Sequence, residues 1–301
     1  NIHRSLYRWD AEKNEPVPEL AESVAVSDDG LVFTFKLRPN IKFHNGRQLI
    51  ADDVIWSYNR IAGMKPASPN LDQVKPIQGC QDVVDGKATT MSGLKKIDDL
   101  TFTMTLVDQV DPKFYLWLPG TDILPQEEVE RLGDAFATNP VGCGPFKFVK
   151  WVKGSEVVME KFADFYIEGK PYLDKVVYKI MGEAAPRDLA FKAKELDATI
   201  VGAVNYPEYK ADPEISKNMI EVAEMFTRLI GFNPDFKPFS DKRVRQAICH
   251  AIPADLIIEK FLKGKAFPAR GYLPTTSPAF NPKIKKYDYN PEKAMQLMKE
   301  A

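Results

Sequence analysis

The sequence predicts an α/β chain with mixed sheets, rich in short antiparallel-type strands and without the regular β-α-β rhythm of a doubly wound domain. Three observations carry this. Apolar and polar residues alternate across residues 31–37, and again at Phe102, Met104 and Leu106, the period of a half-buried strand. Val54, Tyr58 and Ile61 recur at helical spacing within residues 52–62, so they share one helix face. The 23 prolines punctuate the chain into short elements.

Taken in order, Val24, Ala25 and Val26 form a strand that turns at Asp28-Asp29-Gly30 into a second strand over residues 31–37. Asp supplies local backbone hydrogen bonds there and Gly a positive φ, giving a hairpin. Asp52 and Asp53 open the next helix, where acidic side chains suit the first turn. A strand lies within residues 95–107 and a short helix over 127–132. Residues 144–152 and 156–161 read as adjacent strands joined by the Lys153-Gly154-Ser155 turn, followed by a strand at 176–181. Residues 187–195 are expected to be helical, 198–201 a short strand and 226–232 a further strand. Ser240 is the expected N-cap of a helix over 241–252. Pro253 suits the first turn of a helix running to about Leu262, and a last helix begins at Pro291.

The 301 residues are 44% hydrophobic and 28% charged, ample for a substantial core and of a length that suggests two domains. Lys and Arg number 41 against 42 Asp and Glu, and no long basic block occurs, so nucleic acid is not an expected partner. No apolar run approaches the length of a membrane span. The chain opens on Asn1 inside what already reads as folded sequence, with no leader in view. Cys80, Cys143 and Cys249 are far apart and lack a CxxC spacing, which predicts buried thiols rather than zinc ligands or a disulfide framework.

Catalytic signatures are missing: there is no HExxH, GxSxG or Walker A pattern. Gly142-Cys143-Gly144 has two glycines of a dinucleotide fingerprint, but Pro145 and Phe146 follow, so a tight turn into a strand is the better reading. His3, His44 and His250 have no ligand-spaced partners. The carboxylate pairs Asp28-Asp29, Asp52-Asp53, Asp98-Asp99 and Glu127-Glu128 are adjacent in sequence. Neighbouring side chains point apart, so these pairs serve turns and helix starts rather than acid–base chemistry. Cys143 would need a base and an oxyanion donor that the sequence does not indicate. The chain is therefore expected not to be an enzyme.

Beginning at Pro18-Glu19-Leu20-Ala21-Glu22-Ser23, a series of segments carries a family likeness. It continues through Val26-Ser27-Asp28-Asp29-Gly30, Phe33-Thr34-Phe35-Lys36-Leu37-Arg38, Lys42-Phe43-His44-Asn45-Gly46 and Ala51-Asp52-Asp53-Val54 to Asn59-Arg60-Ile61. Later come Asn139-Pro140-Val141-Gly142-Cys143-Gly144-Pro145-Phe146, Phe232-Asn233 with Pro238-Phe239-Ser240-Asp241-Lys242-Arg243-Val244-Arg245-Gln246-Ala247, and Tyr289-Asn290-Pro291-Glu292-Lys293-Ala294. In order and spacing these segments resemble family 5 of the bacterial extracellular solute-binding proteins, the oligopeptide, dipeptide and nickel-binding components of ABC importers. The chain departs from the family pattern at Ile50, where a capping Thr is usual, at Lys194, where Gly is usual, and at Ala251-Ile252-Pro253-Ala254, where the family carries Ala-x-Asp-Arg.

The resemblance implies a two-lobed periplasmic-binding-protein fold of type II with an extra subdomain. Residues 1–10 and 142–225 would form lobe I, 11–141 its appended subdomain, and 226–301 the start of lobe II. Ala301 falls short of the rest of that lobe, so the chain is expected to be part of a longer protein. The implied function is extracytoplasmic capture of a peptide or related small solute between the lobes, for delivery to ABC permease subunits at the periplasmic or outer face of the cytoplasmic membrane. No cofactor and no metal are implied, and the implied state is a monomer. A sensor or chaperone-like ectodomain on the same scaffold is the alternative.

Candidate ligand contacts follow from the implied topology. Phe226, Thr227 and Arg228 lie on the strand expected to cross between lobes. Arg228 suits a ligand carboxylate by its forked geometry, or else a surface ion pair. Phe226 stacks on ligand or packs in a core. Asn205 and Tyr206 bond a peptide or simply turn the chain before Pro207. Tyr7 and Trp9 line a cleft rim or belong to the core.

Overall fold

The computed structural model describes residues 1–13, 15–277 and 279–301. It divides into two compact units, Asn1–Met181 and Gly182–Ala301.

The first unit opens with a hairpin of β1 (Tyr7–Asp10) and β2 (Glu15–Pro18). Next come β3 (Ala21–Val26) and β4 (Val32–Leu37), then helices α1 (Ala51–Gly63) and α2 (Cys80–Val84). Strands β5 (Leu94–Lys96) and β6 (Thr101–Thr105) complete an antiparallel sheet in the order β3-β4-β6-β5. The alternation read from sequence fixes its register. Phe35 pairs with Phe102, and Phe33 with Met104. These side chains point to one face, where all four are buried, while Thr34 and Thr103 face the other way. The Phe35 and Phe102 rings stack with centroids 5.1 Å apart. Helix α1 lays Val54, Tyr58 and Ile61 into the same core. The β3–β4 turn forms as expected: Gly30 has a φ of 69°, and Ser27 and Val32 close the hairpin with a 2.9 Å backbone bond.

Ile50 offers no side-chain acceptor to α1. Asp53 compensates in part, its carboxylate accepting from the Ile50 N–H at 2.9 Å. The same carboxylate takes two hydrogen bonds from Arg47, and Arg47 also reaches Glu127 at the start of α3 (Gln126–Leu132). Arg47 thereby ties a loop to two helices, and it holds the Glu127 carboxyl down at about 2. A separate antiparallel sheet, β7 (Phe146–Val152), β8 (Glu156–Lys161) and β9 (Lys175–Lys179), ends this unit.

The second unit is helical among the described residues. It holds α4 (Ala184–Lys192), α5 (Tyr206–Ala211), α6 (Pro213–Ser216), α7 (Lys237–Ser240), α8 (Lys242–Ala251), α9 (Ala254–Lys260) and α10 (Pro291–Glu300). Helices α8 and α10 pack together through Ala247, His250 and Ala294, all buried. Three local expectations need correction. Residues 198–201 and 226–232 form no strand: a ladder needs a partner, and none lies beside them among the described residues. Ser240 does not cap α8; Asp241 does, its carboxylate accepting from the Arg243 N–H at 2.7 Å. Ser240 closes α7 instead, its hydroxyl donating to the Lys237 carbonyl.

Candidate functional site

The segment expected to bear ligand contacts is extended and open. Met225 to Leu229 form one wall of a groove of about 570 Å³, and Tyr272, Leu273, Pro274 and Ser277 line the other. A hydrogen bond from the Thr276 hydroxyl to the Glu224 carbonyl, 3.3 Å, ties the two walls. The groove therefore gathers Phe226, Thr227 and Arg228. Phe226 is 63% exposed, and its ring centroid lies 6.0 Å from the Arg228 guanidinium carbon. Arg228 is the one charged residue in the lining. Among the described residues it has no ion pair and no hydrogen-bond acceptor. The Thr227 hydroxyl is buried without a partner, the kind of polar atom that folding leaves unpaired at a cost unless something else meets it.

Asn205 and Tyr206 sit elsewhere in the same unit. Asn205 lines a water-sized recess of about 10 Å³ with Arg187, Asp188, Thr199 and Tyr209. The Arg187 Nε and the Thr199 hydroxyl are buried there without partners. Tyr209 donates to Asp188, and burial with that carboxylate pushes its phenol up to about 12. Tyr206 is already engaged: its hydroxyl donates to Glu221 at 2.6 Å, and the Lys265 ammonium lies 5.1 Å from its ring centroid.

Tyr7 and Trp9 are on β1 in the first unit. Tyr7 is buried, edge-on to Phe35, and desolvation raises its phenol above the ordinary value. Trp9 is half-buried against Trp117, with ring centroids 4.9 Å apart. Both residues have aromatic packing partners of their own, as core residues do.

The segment with the two glycines is a close-packed joint. A Cβ on Gly142 would come within 2.2 Å of the Ile2 carbonyl oxygen, and one on Gly144 within 2.2 Å of that of Asn1. His44 completes the joint. Its Nδ1 accepts from the Gly142 N–H at 3.3 Å, so its Nε2 donates to the Gly144 carbonyl at 2.9 Å. Burial holds this imidazole neutral, lowering it to about 4. Cys143 is buried between the glycines, and desolvation lifts its thiol to about 12, the opposite of what a nucleophile requires. Among the described residues, no group of three or more His, Cys, Asp or Glu is placed to hold a metal ion, and no helix is long and apolar enough to cross a membrane.

Sequence reasoning missed the second wall of the groove. Tyr272, Leu273, Pro274 and Ser277 lie in a loop with neither alternation nor helical spacing. The one available signal was an apolar trio directly after Gly271 in an otherwise polar, proline-rich stretch.

Comparison with known proteins gives the family. The model for "Bacterial extracellular solute-binding proteins, family 5 Middle" matches residues 15–301, and the chain belongs to that family. It is 30% identical over 315 residues to the dipeptide-binding protein of Escherichia coli K12, covering all of this chain and 57% of the relative. It is also 30% identical over 317 residues to heme-binding protein A of Haemophilus influenzae, covering all of this chain and 56% of that protein. Among solved structures it is similar to the periplasmic binding protein DppA of Helicobacter pylori in complex with the peptide STSA. The TM-score is 0.82 at 27% identity, covering all of this chain and 60% of that one. The fold is thus that of the periplasmic binding proteins, as expected, and the chain spans a little over half the length of the curated relatives it matches.

Proposed function

We propose that this chain is part of an extracytoplasmic solute-binding protein of an ABC importer, which captures a peptide or related small solute between two lobes and hands it to a membrane permease. The observation that carries the reading is the groove at Phe226, Thr227 and Arg228, found in a chain whose match to a solute-binding family runs from residue 15 to residue 301. Its volume, about 570 Å³, falls within the range of small-molecule sites. A dipeptide-binding relative and a relative solved with a peptide support peptides as the solute class.

The mechanism is a population shift. Residues 1–10 and 142–225 serve as lobe I, 11–141 as its subdomain, and 226–301 as the start of lobe II. A solute that touches both lobes favours the closed state only by the contacts it gains there. The permease reads the closed state, and no bond is made or broken. Such a protein works on the periplasmic or outer face of the cytoplasmic membrane.

Native mass spectrometry of the protein as purified, followed by a thermal-shift screen of peptides and sugars, tests this reading. A co-purified solute released on denaturation, or a ligand-dependent rise in Tm, is expected. Hydrolysis of an added peptide, or no response to any solute class, contradicts it.

A further inference from the structure

The sheet of β7, β8 and β9 ends at the Lys153-Gly154-Ser155 turn in a mixture of exposed aromatic, aliphatic and basic side chains. β7 runs into that turn and β8 leaves it. The Ile180 N–H donates to the Ser155 carbonyl at 2.7 Å, which brings the end of β9 alongside. Register and alternation assign the two faces. Trp151, Val157 and Tyr178 stand abreast on one, and Lys150, Glu156 and Lys179 share the other. Trp151 is 43% exposed and Tyr178 52%, and Val149, Val152, Val177 and Ile180 are exposed as well. Isolated exposed apolar residues are ordinary, but six at one end of a three-stranded sheet make a patch.

Three lysines accompany this patch, against one carboxylate. Glu156 is already engaged: the Lys150 and Lys179 ammoniums lie 2.8 and 2.5 Å from its two oxygens, and they hold its carboxyl down at about 2. Lys153, exposed in the turn, has no ion-pair partner among the described residues. The next acidic residue on β8, Glu160, lies opposite Lys147 and Lys175, away from the turn. Residues 146–181 contain no Arg.

Exposed tryptophan and tyrosine beside lysine without arginine fit a protein partner poorly, because protein interfaces are depleted in Lys and enriched in Arg. A second copy would bring two uncompensated lysine clusters together. An anionic bilayer surface suits both halves of the patch. Indole and phenol rings settle at the headgroup level. Lysine stems lie along apolar surface while their ammoniums reach lipid phosphates.

We infer that the turn end of this sheet is a peripheral docking surface for an anionic phospholipid bilayer, with Trp151 and Tyr178 as interfacial anchors and Lys150, Lys153 and Lys179 as the charges that meet lipid phosphate. Such docking is reversible and needs no solute. It holds a binding protein near the membrane in which its permease is proposed to lie.

Co-sedimentation of the full chain with vesicles of phosphatidylcholine alone, and of phosphatidylcholine mixed with phosphatidylglycerol, tests the inference. Binding to the mixed vesicles is expected to be about tenfold or more stronger, and high salt should remove most of it. Lys153→Glu and Lys175→Glu change the net charge equally, but Lys175 stands roughly 17 Å from the turn along the strands, beyond the Debye length of about 8 Å. Lys153→Glu should weaken binding about tenfold, and Lys175→Glu by less than about twofold. Trp151→Thr, a residue suited to a strand, should weaken it about threefold or more. Circular dichroism checks that each variant folds, and Lys153 in its exposed turn keeps the test open if Trp151→Thr does not. No binding to either vesicle, equal binding to both, or equal losses in the two lysine variants overturns the inference. Vesicle binding with a failed solute screen leaves it standing and removes solute capture; solute binding without vesicle binding does the reverse.

Discussion

The two units of this chain differ in how completely they bury their apolar residues. In Asn1–Met181 a four-stranded sheet and helix α1 enclose Phe35, Phe43, Tyr58 and Phe102 completely. In Gly182–Ala301, Ile200 is 80% exposed, Val204 83% and Ile220 90%. The difference lies in the partners available. Each strand of the first unit's main sheet finds its ladder within the described chain, partly through tight hairpins. The extended stretches of the second unit find none. Apolar side chains at the right period are therefore necessary for a sheet but not sufficient, because burial needs a second surface.

All four tryptophans, Trp9, Trp56, Trp117 and Trp151, lie in the first unit, so their fluorescence reports its unfolding separately. The largest effect is expected from Phe35→Ala. Removing a fully buried ring stacked on Phe102 costs about 3–5 kcal/mol, seen as a lower urea midpoint by tryptophan fluorescence. A midpoint that does not move would mean that this sheet is not the core of the unit.

Next in size is the pH response of the His44 joint. His44 titrates at about 4 when folded and near about 6.5 when unfolded, so the unfolded chain binds more protons between those values. Its contribution is fully present above about pH 6.5 and is lost as pH falls towards 4. Discounted for partial exposure, the loss is about 1–2 kcal/mol. Urea titrations at pH 7 and 4.5 should show a stability drop in the wild type that is smaller in His44→Leu. Equal drops would separate the histidine from the joint.

Much of this was legible in the sequence, and the rest was not for identifiable reasons. The hairpin at Gly30, the β6 alternation and helix α1 are local patterns, so they could be read directly. The β1–β2 hairpin was missed because Pro16 and Pro18 sit in β2 and Tyr7 to Asp10 mix charge with aromatics, which hides the period of a strand. Residues 226–232 were read as a strand because their composition is strand-like, yet pairing is a non-local property. Within the candidate site, Phe226, Thr227 and Arg228 were found, whereas Tyr272 and Leu273 form the opposing wall more than forty residues later, where no periodicity marks them.

Smaller effects test the second unit. Asn290 caps α10 by accepting from the Lys293 N–H at 2.9 Å, and Asn290→Ala should cost about 1 kcal/mol. Far-ultraviolet circular dichroism should register the loss while tryptophan fluorescence does not. Ile220→Ser should change stability by less than about 0.5 kcal/mol in this chain. A larger cost in the circular dichroism transition would show that Ile220 is buried in solution and that the contrast between the units is overstated.

The claim that solute recognition resides in the second unit's groove is tested most directly by hydrogen–deuterium exchange, with and without a saturating solute from the binding screen. The account predicts new protection within the second unit at residues 225–229 and 272–277, and none added to the already enclosed sheet around Phe35. Protection confined to the recess at Asn205, or to the first unit, would contradict it.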